Sequence, residues 1–103
     1  ATALSMARIE CHYMFNNLFF ESNDYLLKHV HKLQEIPCHI VQGRYDMICP
    51  AESAFALAAE LPKAKMHLVL DAGHASGEPG IASELIASML ELKEQLSNEV
   101  FRA

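Results

Sequence analysis

No apolar stretch in this chain approaches the roughly 18 residues that a membrane-spanning helix needs, so no membrane partner is expected. No run of Lys and Arg of the kind that tracks phosphates appears either, and the net charge is −5, which argues against a nucleic-acid partner. The N-terminus lacks the charged-then-apolar pattern of a secretory leader. It begins at Ala1 rather than at a Met; either a residue was removed or the chain is part of a longer one, and the latter is expected from the incomplete fold below. Three cysteines, Cys11, Cys38 and Cys49, form an odd set without a C-x-x-C spacing, unlike a disulfide-stapled secreted domain. A reducing, cytoplasmic setting is expected, with the cysteines acting as small apolar fillers. With only four glycines and four prolines, 51% hydrophobic and 20% charged residues, disordered and collagen-like classes are excluded.

What is present is the pattern of an α/β domain. Met6, Ile9, Tyr13 and Met14 recur at helical spacing and predict a helix over residues 2–15, broken by Asn16 and Asn17. Ser22, Asn23 and Asp24 supply cap chemistry for a second helix with Leu26, Leu27, Val30 and Leu33 on one stripe, and Pro37 forbids its continuation. Cys38 to Val41 reads as a strand turning at Gln42-Gly43, residues 51–61 as a helix closed by Pro62, and Met66 to Leu70 as a strand buried on both faces. Pro79 suits the first turn of a final helix carrying Ile81, Leu85, Met89, Leu92 and Leu96 on one side. Strand, helix, strand, helix predicts a parallel sheet with crossover connections. Two parallel strands make no stable sheet alone and leave unpaired edges, so this βαβα unit is expected to be incomplete on its own.

Open parallel sheets collect functional groups in the loops leaving the C-terminal ends of their strands. The first such loop is Gly43-Arg44-Tyr45-Asp46 and the second Asp71-Ala72-Gly73-His74. Each sets one ionisable residue just past a strand and a turn-permitting Gly. Neighbouring strands lie about 4.8 Å apart, so side chains at their tips can meet. An Asp that accepts a hydrogen bond from His Nδ1 fixes the tautomer and stabilises the imidazolium formed during proton transfer. Asp before His, both late in the chain, is the triad order of α/β-hydrolases. Read singly, Asp46 is a helix cap and His74 an ordinary loop histidine; their joint placement favours a catalytic pair.

These residues also sit in longer motifs. Ala7-Arg8-Ile9-Glu10-Cys11-His12-Tyr13, Ile36-Pro37-Cys38-His39-Ile40-Val41-Gln42-Gly43-Arg44-Tyr45-Asp46, and Ala72-Gly73-His74 with Glu78-Pro79-Gly80 closely resemble proline iminopeptidases (prolyl aminopeptidases). The resemblance runs over nearly the whole chain with compatible spacing. It implies a cofactor-free, metal-free α/β-hydrolase with a helical cap, which removes N-terminal proline from peptides by serine-type acyl transfer. Residues 1–23 would then end the cap and 24–103 form the C-terminal part of the hydrolase core. On the same resemblance Asp46 is the triad acid, His74 the general base, and Glu10 one of the cap glutamates that hold the substrate's free amino group. Glu10 also stands out by itself, since on a helix it shares a face with Met6, Tyr13 and Met14, where a carboxylate needs a partner. The alternative is a surface Glu, or one paired with Arg8 or His12. Ala75 departs from the family, many members of which have Ser there.

One part of the machinery has no counterpart in the sequence. The hydrolase nucleophile sits in a G-x-S-x-G elbow, and none of the seven serines has that context; Ser76-Gly77 is nearest, but no Gly stands two positions before it. The oxyanion loop is missing too. Three readings remain open: the C-terminal part of a proline iminopeptidase completed by another polypeptide, a binding or self-assembling module derived from that fold, or the tail of another α/β-hydrolase such as an esterase or epoxide hydrolase. His29 and His31 diverge on their helix, and His12, His39 and His67 lack ligand spacing, so no metal site is expected.

Overall fold

A computed structural model describes residues 1–102. The first helix, α1 (Thr2–Phe15), forms as its apolar periodicity predicts and stops at Asn16. There the Asn16 backbone amide and side-chain amide both donate to the carbonyl of His12, at 3.3 and 2.8 Å. The next three residues, Asn17, Leu18 and Phe19, have φ of 52°, 57° and 61°. A left-handed backbone costs an L-residue about 1–2 kcal/mol. Phe19 braces this turn, with its ring centroid 5.3 Å from those of both His12 and Tyr13.

The expected second helix is shorter and tighter than its pattern. Only α2 (Tyr25–His29) is α-helical, and Val30–Leu33 continue it as a 3₁₀ turn. His31 Nδ1 lies 3.1 Å from the Lys28 carbonyl, taking up an acceptor that the next α-helical bond requires. Asp24 holds the cap position but makes no cap bond; its carboxylate pairs instead with Lys28 at 3.2 Å. Of the predicted stripe, only Val30 is buried.

The remaining elements come in the predicted order: β1 (Cys38–Gly43), α3 (Ala51–Ala59), β2 (Ala64–Val69) and α4 (Pro79–Arg102). The strands pair in parallel, from Cys38 opposite Ala64 to Gly43 opposite Val69. That register explains two boundary differences. Gln42 and Gly43 extend β1 because Leu68 and Val69 lie beside them, and β2 starts at Ala64 rather than Met66 because Cys38 and His39 pair with Ala64 and Lys65.

Alternation puts His39, Val41, Lys65 and His67 on one face of the sheet. Helix α4 crosses this face: Glu91 forms an ion pair with Lys65, and Glu84 Oε2 lies 3.3 Å from His67 Nδ1. The polar lining corrects the expected packing stripe. Ile81 and Ser88 are the buried positions of α4, whereas Met89 and Leu96 face outward. Helices contact a sheet through whichever side chains complement it, and here charge and imidazole groups turn α4 away from its most apolar arc.

The core is small. Val30, Leu61, Ala72 and Ile81 are its buried hydrophobic residues among those described. The accessible surface is 8184 Å², against about 5,800 Å² for a compact monomer of this mass. The radius of gyration is 16.3 Å, against about 12.8 Å for a compact chain of this length. Among the described residues each strand is paired on one edge only. No described helix is long and apolar enough to cross a membrane.

Candidate functional site

The loops leaving β1 and β2 are stitched together by backbone. Beyond the sheet, Arg44 N–H donates to the Val69 carbonyl and Tyr45 N–H to the Ala72 carbonyl, both at 2.9 Å. Such close approach depends on Gly43. A Cβ there would lie 2.8 Å from the Ala72 carbonyl oxygen and closer still to that of Gly73. The Gly43 φ is ordinary, so the requirement is space rather than backbone freedom. Arg44 and Tyr45 thus act in the turn through their main chain.

Asp46 and His74 meet where these loops run side by side. His74 Nδ1 lies 3.0 Å from Asp46 Oδ2 and 3.1 Å from Oδ1. An ionised carboxylate only accepts, so Nδ1 carries the proton and Nε2 is left with a free lone pair. The Asp46 side chain is 8% exposed and that of His74 50% exposed, so the pair has a buried acid and an accessible imidazole. Asp46 Oδ1 also accepts the backbone N–H groups of Cys49, at 2.8 Å, and Ile48, at 3.0 Å. The Cys49 amide foremost, then His74 and Ile48, hold its carboxyl below the usual carboxylate value against the opposing effect of burial. Asp46 therefore organises its own turn and orients the imidazole together. It does not cap α3, whose N-cap is Pro50.

The second loop contains a group that sequence reasoning placed in a motif without giving it a role. Glu78 Oε2 accepts the backbone N–H of Gly73 at 3.0 Å and of Ala75 at 3.2 Å, and Oε1 lies 3.1 Å from the Gly73 amide. Its own N–H donates to the Ala75 carbonyl at 3.1 Å. The signal that could have found it is position: an acidic residue just before a helix-opening Pro, within reach of the loop it follows.

Glu10 is exposed on α1, and among the described residues no hydrogen bond or ion pair engages its side chain, with Arg8 and His12 included. Met6, Tyr13 and Met14 on its face are exposed as well, at 56%, 47% and 69%. The structure thus brings Asp46 and His74 together and leaves Glu10 unattached to them. Two clefts of about 550 and 370 Å³ lie elsewhere, one beside Leu26, Leu27 and Leu57, the other beside Cys38, His39 and Lys63.

Histidines 39 and 67, expected to be structural or solvated, are stacked with ring centroids 5.1 Å apart and planes 7° from parallel. His39 Nδ1 lies 2.9 Å from His67 Nε2. The Glu84 carboxylate lies 3.3 Å from His67 Nδ1, on the far side of that ring from His39. The three free cysteines make no disulfide, and among the described residues no group of three or more His, Cys, Asp or Glu is placed to hold a metal ion.

Comparison with known proteins places this geometry in a family context. The chain is 47% identical over 94 residues to a probable proline iminopeptidase of Leptolyngbya boryana, a match covering 91% of the chain and 29% of that relative. It is 46% identical over 91 residues to the proline iminopeptidase of Arabidopsis thaliana, covering 88% of the chain and 24% of the relative. With the Xanthomonas citri proline iminopeptidase it shares 44% identity over 84 residues, covering 82% and 27%. The chain thus spans less than a third of the length of these curated relatives and matches their C-terminal part. No protein-family model matches the chain.

Proposed function

We infer that this chain, matched to the C-terminal part of proline iminopeptidases, supplies the acid and base of a serine hydrolase that releases N-terminal proline from peptides. The observation that carries this reading is the contact of His74 Nδ1 with the Asp46 carboxylate at 3.0 Å, at the tips of adjacent parallel strands. In the proposed division, residues 1–23 end a helical cap and 24–103 close the hydrolase core. The nucleophilic Ser and the oxyanion donors come from a preceding polypeptide that completes the sheet. The excess surface and the unpaired strand edges support a missing partner of that kind.

In this mechanism His74 Nε2 takes the proton from the Ser hydroxyl as its oxygen attacks the prolyl carbonyl carbon. The resulting imidazolium is stabilised by Asp46. The tetrahedral intermediate collapses when Nε2 gives that proton to the departing amine, leaving a prolyl ester. Water then loses a proton to Nε2, attacks the ester, and proline leaves as the Ser hydroxyl recovers its proton. Glu10 holds the substrate's charged amino group, which restricts cleavage to the first residue.

The test supplies a polypeptide with the nucleophile elbow and follows hydrolysis of proline amides. Complementation is expected, with His74→Ala losing at least about 10⁴-fold in kcat. A well-folded mixture without turnover would count against the reading. Glu10→Gln should raise KM by roughly 10-fold or more, the worth of a charge-assisted hydrogen bond. An unchanged KM would point to the tail of a different hydrolase. A second reading, a self-assembling module, is favoured by the same open edges; light scattering that shows a stable monomer would remove it.

A further inference from the structure

His74 is the central residue of a three-residue turn, and its two neighbours are both tied to one side chain. The amides of Gly73 and Ala75 point to the Glu78 carboxylate at 3.0 and 3.2 Å. No other side chain among the hydrogen bonds of the described residues holds this loop by its main chain. Glu78 itself is fixed, because Pro79 follows it and Ile81, one turn into α4, is buried in the core. The partner loop is built on the same plan, with Asp46 accepting the amides of Ile48 and Cys49. Each half of the pair is therefore ordered by a carboxylate that gathers two backbone N–H groups.

We propose that Glu78 is a positioning residue for the general base, holding the Gly73–Ala75 backbone so that the His74 imidazole stays in register with Asp46. It touches no reacting atom and acts through the loop; its role in catalysis rests on the proposed hydrolase reading, while its role in placing His74 does not. Without its carboxylate the two amides turn to water, the turn gains freedom, and His74 Nδ1 no longer lies steadily opposite Asp46. A base held loosely by even about 1 Å loses on the order of 10²-fold in rate. The loss belongs to kcat, since substrate is bound elsewhere.

The experiment uses the full polypeptide that carries this segment, comparing wild type with Glu78→Ala and Glu78→Gln. Gln keeps one carbonyl oxygen that can accept one or both amides, so it is the conservative rescue. Two readouts are taken on each protein: the downfield proton resonance of the His74 Nδ1–H and the steady-state constants on a proline amide. For Glu78→Ala the resonance should broaden or vanish through exchange with water, and kcat should fall roughly 10- to 100-fold with KM nearly unchanged. Glu78→Gln should recover most of both. A Glu78→Ala protein with wild-type resonance and wild-type kcat overturns the proposal, as does one whose only change is a lower Tm. If wild type releases no proline, the hydrolase reading fails separately, and the resonance alone decides whether Glu78 places His74. If Glu78→Ala does not fold, Glu78→Gln and Glu78→Asp carry the same two readouts, and a wild-type resonance in Asp, whose shorter arm cannot reach both amides, overturns it equally.

Discussion

At the scale of single residues, the Asp46–His74 contact sets what substitutions do. Asp46→Asn keeps an oxygen for the Ile48 and Cys49 amides, so the turn survives. The amide nitrogen then faces His74 Nδ1, and a donor facing a donor is repulsive. The imidazole resolves this by moving its proton to Nε2, which removes the lone pair that accepts from Ser. A fall of about 10⁴-fold in kcat with Tm nearly unchanged is expected in the completed enzyme; retained turnover would exclude the assignment of Asp46. Acid exposes the same linkage. Because folding lowers the Asp46 pKa, its stabilising contribution is complete above the ordinary value of 3.8 and drains away as pH falls through the depressed one. Backbone amide shifts of Ile48 and Cys49 should therefore titrate together, below pH 3.8, and a midpoint above that value would contradict a carboxyl held down by its donors. The contact between Asp46 and His74 was readable in the sequence because strand, Gly and ionisable residue repeat in both loops. The Glu78 contacts were not readable, since they depend on a side chain folding back five residues onto a loop whose shape the sequence does not print.

At the scale of elements, sequence periodicity named all four helices and both strands but placed several of their faces and ends wrongly. The end of β1 and the start of β2 are set by each other's length, a pairing that no local pattern contains. The α4 stripe failed for a related reason. Apolar periodicity assumes an apolar partner, whereas the sheet offers Lys65, His67 and His39, so Glu84 and Glu91 reach across to Lys65 and His67 while staying partly exposed, and Met89 is left facing solvent. The stacked His39–His67 pair was hidden too, because two histidines 28 positions apart become neighbours only across a parallel ladder. The element-scale prediction concerns the seam between the loops. Gly43→Ala puts a methyl group against the backbone carbonyls of Ala72 and Gly73, which cannot rotate away as a side chain would. Relief requires the two strand tips to separate, so in the completed protein the substitution should cost roughly 1–3 kcal/mol in urea unfolding and weaken the His74–Asp46 contact together. Gly77→Ala, with open space around it, serves as the control and should change neither. Equal behaviour of the two variants would show that the seam has more slack than its geometry indicates.

At the scale of the whole molecule, the surface is the dominant fact. Ile86, Met89 and Leu90 on α4 are 63%, 66% and 61% exposed, and Met47 and Ile48 beside the Asp46 turn are 88% and 73% exposed. Apolar area left in water at this density forgoes about 25 cal/mol per Å² of stabilisation, and the four buried hydrophobic residues among those described offer little in its place. Backbone ordering also works against folding, at about 1–2 kcal/mol per residue, so little apolar burial is set against it here. The chain by itself should therefore unfold with a shallow, poorly cooperative urea transition and bind a hydrophobic dye. Joined by a polypeptide that pairs β1's free edge, it should unfold in one steep transition, with a larger m-value from the added surface buried. Hydrogen exchange gives the spatial version of that outcome: amides of β1 should gain protection on completion, and dye binding should disappear. A chain that is monomeric, dye-silent and cooperatively unfolding without any addition would mean that these exposed residues need no cover, and the inference of a completing polypeptide would fall with that result.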